Sequence, residues 1–263
     1  MKLVDTHAHL YDDQFVDDIE RVIERAKEAG IETILLPNID EESVKPLKQL
    51  MDSVPNIFIP MMGLHPTSVT SEWENQLSYI YEELRNRNYI AVGEIGIDLY
   101  WDQSLKNEQI RAFETQLQWS KENNLPVAIH SRNAIIECVE SINRVGPSSL
   151  RGVFHSFGGS VEELDSILAL ENFYVGINGV VTYKNSGLSK VLPQCPKEKI
   201  VLETDSPYLS PVPYRGKRNE SSYLSKIVSK LAEIYEVKDQ VIADITTKNA
   251  NDLFGITDWK EFN

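Results

Sequence analysis

Eight short apolar runs alternating with longer helical patterns predict a barrel in which eight parallel strands are each followed by a helix. The runs are KLVDTHAH ending at His9, ETILLPN at Asn38, IFIPMMGLH at His65, YIAVGE at Glu94, PVAIH at His130, GVFH at His155, FYVGIN at Asn178 and IVLETD at Asp205. Successive ends lie 29, 27, 29, 36, 25, 23 and 27 residues apart. Each interval has room for a helix of about three to five turns and two short loops. Runs that are apolar nearly throughout belong to parallel strands covered on both faces. A single α/β domain over residues 1–263, folded as one (β/α)8 barrel of the TIM type, is therefore expected, with an open doubly wound sheet as the alternative.

The elements follow in order. Residues 13–30 carry Phe15, Ile19, Val22, Ile23 and Ala26 on one helical face, with Gly30 as the stop. Cys138 falls in an amphipathic helical pattern after the fifth run, and Cys195 in a Pro-flanked turn before the eighth. Pro, Gly and Ser cluster in turns, chiefly at 206–216, and no linker or low-complexity segment interrupts the βα period. Residues 220–254 read as two helices, and the chain after Gly255 as a short polar tail.

Composition narrows the class. With 41% apolar and 25% charged residues the chain can build a sizeable core, which excludes disordered and collagen-like polymers. Its 26 basic and 40 acidic side chains leave a net charge of −14, which argues against holding nucleic acid by broad electrostatics while allowing contact with an end or a short segment. Two cysteines without CxxC spacing read as free thiols of a reducing compartment. The first residues, MKLVDTHAHLYDD, lack the apolar stretch of an export signal, and no window resembles a membrane span. The expectation is a cytoplasmic protein with no membrane contact and no obligate protein partner.

All five histidines lie at predicted strand ends: His7 and His9 on the first, then His65, His130 and His155. A parallel barrel brings these ends to one face, so residues nearly 150 positions apart become neighbours. His7 and His9 are two apart, and strand side chains alternate, so both imidazoles point the same way. A lone strand histidine is usually a hydrogen-bonded core residue, but five at one mouth point to a metal. Glu94 and Asp205 end two further strands; each alone is readable as a helix cap or ion pair, yet in this layer only a metal supplies the cation. His7, His9, Glu94, His130, His155 and Asp205 thus form the expected ligand set for one or two divalent ions such as Mg, Mn or Zn, with Glu94 placed to bridge. His65, followed by Pro66, is equally readable as a loop cap, a ligand or a substrate contact.

In combination, DTHAHL, GLHP at 63–66, GEIGIDLYWD at 93–102, PVAIHSR at 126–132, HSFGG at 155–159 and ETDSPYLSPVPYRGKRNES at 203–221 resemble the signature segments of the TatD family of metal-dependent deoxyribonucleases. The resemblance runs from residue 5 to about 255. It implies a barrel of the amidohydrolase superfamily, hydrolysis of DNA, often as a 3′ to 5′ exonuclease, and metal ligands at the six positions that the spacing selects.

On that reading Asp205 and Glu94 are the catalytic carboxylates, Asp205 as ligand and proton acceptor and Glu94 as bridge. Phosphate needs local positive charge, and the loop after the eighth strand offers Arg215, Lys217 and Arg218, otherwise readable as an exposed basic turn; His65 is a separate candidate for substrate contact. Lys184 and Arg132 are further basic candidates with weaker claims, and Tyr100, Trp101 and Tyr183 lie beyond strand ends, where an aromatic ring reads equally as packing or as a stacking platform for a base of single-stranded DNA. The competing enzyme is a barrel hydrolase of small-molecule C–N or C–O bonds; such sites often bridge their ions with a carbamylated lysine, and no lysine ends a strand here. A structural metal is disfavoured because structural sites are usually closed and four-coordinate.

Overall fold

The computed structural model describes residues 1–54, 57–86 and 88–262. Its strands are β1 (Leu3–Asp5), β2 (Ile31–Leu36), β3 (Phe58–Met62), β4 (Ala91–Gly96), β5 (Val127–His130), β6 (Gly152–Phe154), β7 (Phe173–Ile177) and β8 (Ile200–Leu202), all parallel and in sequence order. β8 returns to β1 through Thr6 N–H to the Leu202 carbonyl at 2.9 Å and a parallel bridge between Ala8 and Ser206. The eight strands make a nearly closed (β/α)8 barrel, as the sequence predicts.

The helices are α1 (Ile19–Glu28), α2 (Glu41–Ser53), α3 (Trp73–Asn86), α4 (Lys106–Asn123), α5 (Ile135–Val145), α6 (Val161–Leu168), α7 (Leu188–Val191), α8 (Leu224–Ile234), α9 (Asp239–Phe254) and α10 (Ile256–Phe262). Local chemistry sets several boundaries. Asp40 with Ser43, and Ser160 with Glu163, form capping boxes that satisfy the first amides of α2 and α6. Gly255 ends α9 in the left-handed region at φ +67°, where a side chain is strained.

Three expectations need correction. Residues 13–30 do not form one helix: Phe15 belongs to a short 3-10 turn, Asp13–Phe15, and α1 starts at Ile19. The seventh interval holds no long helix, because Pro193 and Pro196 each remove a backbone donor, and α7 with short 3-10 turns fills the space while burying Leu188 and Leu192. The stretch after Gly255 is α10, and not a polar tail. Its Ile256 and Trp259, three residues apart, join Leu253 and Phe254 against Val4, Leu35, Ile59, Ala91, Ala128, Val153 and Val201, residues of the barrel interior near the strand starts. Thus α10 plugs the end of the barrel opposite the strand C-termini, and the larger apolar layer lies between strands and helices.

Candidate metal centre

Most strands stop earlier than the runs that predict them, although β5 reaches His130 and β4 runs past Glu94 to Gly96. β1 ends at Asp5 and β8 at Leu202, so His7, His9 and Asp205 lie just beyond, pinned by Asp205 N–H to the His7 carbonyl at 2.9 Å and His9 N–H to the Ser206 carbonyl at 2.7 Å. Asp5 ties the two strand ends together: it accepts from Thr204 N–H at 2.9 Å and the Thr204 hydroxyl at 2.6 Å. Complete burial, opposed by these hydrogen bonds, raises its carboxyl to about 6.

Glu94, inside β4, stands at the middle of the cluster. Its Oε2 is 3.1 Å from His7 Nε2 and 3.7 Å from His9 Nε2. Its Oε1 is 3.0 Å from His130 Nδ1, 3.4 Å from His65 Nε2 and 3.9 Å from His155 Nε2. Asp205 Oδ1 lies 3.6 Å from both His9 Nε2 and His155 Nε2. Each oxygen of Glu94 therefore faces its own group of imidazoles, the arrangement of a bridging carboxylate. All six residues of the expected ligand set, and His65 with them, meet at the strand C-terminal face.

The electrostatics follow from burial and proximity. Burial works against the charge of Glu94, but His7, His65, His155 and His130 outweigh it and hold the carboxylate well below its ordinary range. Burial likewise opposes ionisation of Asp205, and His155 and His9 override it. His7 is lowered by burial and by neighbouring His155, whose ring stacks on it at 3.5 Å, and a neutral imidazole is the form that binds metal. For His155, burial is overcome by Glu203, Asp205 and Glu94, which raise it well above the usual value.

Hydrogen bonds select tautomers. The Tyr11 hydroxyl donates to the Pro37 carbonyl at 2.6 Å, so it can only accept from His9 Nδ1–H at 3.0 Å. In neutral His9 the lone pair is then on Nε2, which faces Glu94 and Asp205. His65 is the reverse: its Nδ1 accepts from Thr67 N–H at 3.2 Å, so the proton sits on Nε2 and is directed at Glu94. That makes His65 a donor toward the centre and not a ligand. His130 turns Nε2 to Asp98 Oδ2 at 2.8 Å and Nδ1 to Glu94, a carboxylate–histidine pair that orients the ring with Nδ1 inward.

The donor set fits a metal. Among the described residues, atoms able to ligate a metal group as His7, His9 and Glu94, and as His7, His155 and Glu203, within 4.8 Å of one another in each group; His65, Glu94 and His130 lie equally close, with His65 presenting its Nε2 proton. His7 Nδ1 and Glu203 Oε2 are buried without a hydrogen-bond partner, and His155 Nδ1 has only an ion-pair contact with Glu203 at 3.1 Å. Such orphaned atoms are costly, and bound cations satisfy sets of this kind.

Asp98, Glu203, Tyr11 and Asp5 were not among the residues singled out from sequence. Glu203 has a readable signal, since it precedes Asp205 by two as His7 precedes His9; its Oε1 accepts from Ser156 N–H at 2.6 Å and lies 3.1 Å from His155 Nδ1. The basic loop divides. Arg215 and Lys217 are exposed, with the Arg215 guanidinium 4.2 Å from the Tyr183 ring centre. Neither contacts the metal centre among the described residues. Arg218 is not free for phosphate: both its terminal nitrogens bind Asp18, at 2.7 and 2.8 Å, and its guanidinium covers Phe15.

The family model for TatD-related DNase matches residues 4–255, from β1 to the end of α9. The chain belongs to that family. A relative in Bacillus subtilis (strain 168), the uncharacterized metal-dependent hydrolase YabD, is 37% identical, the match covering 97% of this chain and 99% of that one. The 3′-5′ ssDNA/RNA exonuclease TatD of Pantoea vagans (strain C9-1) is 30% identical, with 96% and 99% covered. Among solved structures, the TatD homolog YJJV from Escherichia coli K12 superposes with a TM-score of 0.88 at 27% identity, covering 96% of this chain and 98% of its own. As a TatD-family member the chain is a metal-dependent hydrolase. No helix among the described residues is long and apolar enough to cross a membrane.

Proposed function

We propose that this TatD-family chain is a nuclease that removes nucleotides from the 3′ end of single-stranded DNA in the cytoplasm. The observation that carries the reading is the position of Glu94, one oxygen toward His7 and His9 and the other toward His130 and His155. His7, His9, Glu94, His130, His155 and Asp205 would hold the metal. When bound there, one or two divalent cations (Mg, Mn or Zn) supply positive charge to the phosphoryl oxygens and the leaving alkoxide and acidify the attacking water. Asp205, kept ionised and with Oδ1 turned to His9 and His155, takes the proton of that water at its other oxygen. His65 donates from Nε2–H to a phosphoryl oxygen. Asp98 and Glu203 hold the rings of His130 and His155 in place. Arg215 and Lys217 reach phosphates farther along the strand.

The test uses a 5′-labelled single-stranded oligonucleotide, purified protein treated with EDTA, and Mg, Mn or Zn added back. A ladder shortening from the 3′ end that disappears with EDTA and returns with metal is expected. Intact oligonucleotide with folded, metal-loaded protein would overturn the reading.

A further inference from the structure

Asp98 links the centre to an exposed aromatic surface. While its Oδ2 faces His130, its Oδ1 accepts from the backbone N–H of Tyr100 at 2.9 Å and of Trp101 at 3.2 Å. The loop after β4 is thereby fixed relative to His130. Beside it, Leu99 N–H donates to the Arg132 carbonyl at 3.0 Å, two residues past His130. The Arg132 guanidinium stacks 3.8 Å from the Tyr100 ring centre and 5.3 Å from that of Trp101, and the two rings meet edge to face at 4.9 Å.

This surface is costly to leave in water. Trp101 is 70% exposed and Tyr100 51% exposed, so neither ring gains much from the core. Among the described residues no carboxylate pairs with Arg132, so its charge remains available to an anion. An aromatic face beside an unpaired guanidinium is the combination that receives an unstacked base together with its phosphate.

We propose that Tyr100, Trp101 and Arg132 form a subsite for one unpaired nucleobase, stacked on the Trp101 indole with its phosphate on Arg132. The subsite rests on the nuclease reading and adds to it a place where one base of the single strand is held clear of the metal centre. A duplex presents no such base face, so it is a poorer ligand.

Binding and turnover separate the two claims. Trp101 is the most exposed of the four tryptophans, so the intrinsic fluorescence of the metal-loaded protein reports on it. Titration with an oligothymidylate carrying hydrolysis-resistant phosphorothioate linkages is expected to quench that fluorescence, and a duplex of equal length to bind more weakly. By dye-labelled oligonucleotide anisotropy, Trp101→Ala raises Kd about tenfold and Trp101→Phe restores most of the loss. Arg132→Ala reduces the slope of log affinity against log salt by about 0.7. The ratio of kcat/KM on oligonucleotide to that on bis(p-nitrophenyl) phosphate falls about tenfold in Trp101→Ala, mainly through KM, with the thermal midpoint held. Wild-type Kd and ratio in Trp101→Ala would overturn the subsite, as would a fall in thermal midpoint that accounts for the loss. Quenching by the oligonucleotide without hydrolysis of either substrate would support the subsite and overturn the nuclease reading.

Discussion

At Asp205 the backbone lies in the left-handed region, φ +58°, where Asp and Asn are tolerated better than other side chains. Asp205→Asn therefore removes the charge without imposing a new backbone strain. We expect it to keep the thermal unfolding midpoint within a few degrees and to lower oligonucleotide turnover by about two to four orders of magnitude, since proton acceptance and metal charge balance are lost together. Unchanged turnover would make Asp205 a bystander. The two cysteines offer a contrasting residue-scale prediction. Burial raises the Cys138 thiol strongly and pushes Cys195 up to about 12. At pH 8 the thiolate fraction of Cys195 is then about one in ten thousand, so neither thiol should react with a thiol-specific disulfide reagent until denaturant is added. Rapid labelling of the native protein would reveal local opening around α5 or the turn before β8.

Among the elements, α10 is the one whose worth is least evident from its composition. It places Ile256 and Trp259 against the interior layer of the barrel, and Lys260 donates to the Glu32 carbonyl at 3.1 Å and the Thr33 hydroxyl at 2.7 Å. Deleting residues 256–263 uncovers apolar surface at the strand starts while leaving the opposite face untouched. The expected cost is about 2–4 kcal/mol in urea unfolding, with metal stoichiometry retained. A truncated chain as stable as the full one would show that α10 lies on the barrel without supporting it. The shortened seventh helix has the opposite lesson: two prolines favour short turns there, and buried Leu188, Leu192 and Cys195, with the Tyr235 hydroxyl donating to the Leu192 and Cys195 carbonyls, keep that segment packed.

For the whole molecule, a net charge of −14 sets how nucleic acid can be held. With Arg218 engaged by Asp18, few cations are left near the site for phosphates: Arg215 and Lys217 on the loop, Lys184 after β7, Arg132 beyond β5, and the metal itself. With no more than roughly three of these engaged by one strand at a time, the slope of log affinity against log salt for single strands should be shallow, about −2 at −0.7 per contact. Replacing Arg215 and Lys217 together by Ala should weaken binding and flatten the slope further, with metal content unchanged. A slope near −5, or loss of metal in the double variant, would contradict this distribution of charge.

The βα alternation and the place of every histidine at or near a strand end were legible in the sequence alone. The family signatures at 5–10, 93–102 and 203–221 were legible with them, being the segments at those ends. The tertiary structure decided that the strands run in order round a barrel and not in an open doubly wound sheet, and so that their C-termini gather on one face. It likewise decided what depends on partners distant in sequence. The proton of His9 follows from a Tyr11 hydroxyl committed to Pro37, that of His65 from Thr67, and the orientation of His130 from Asp98. It also separated Arg218, held by Asp18 two hundred residues away, from Arg215 and Lys217, which sequence adjacency makes alike. Periodicity reports which side of an element a residue occupies; which atom of that residue is left free is decided only when its neighbours from other strands are in place.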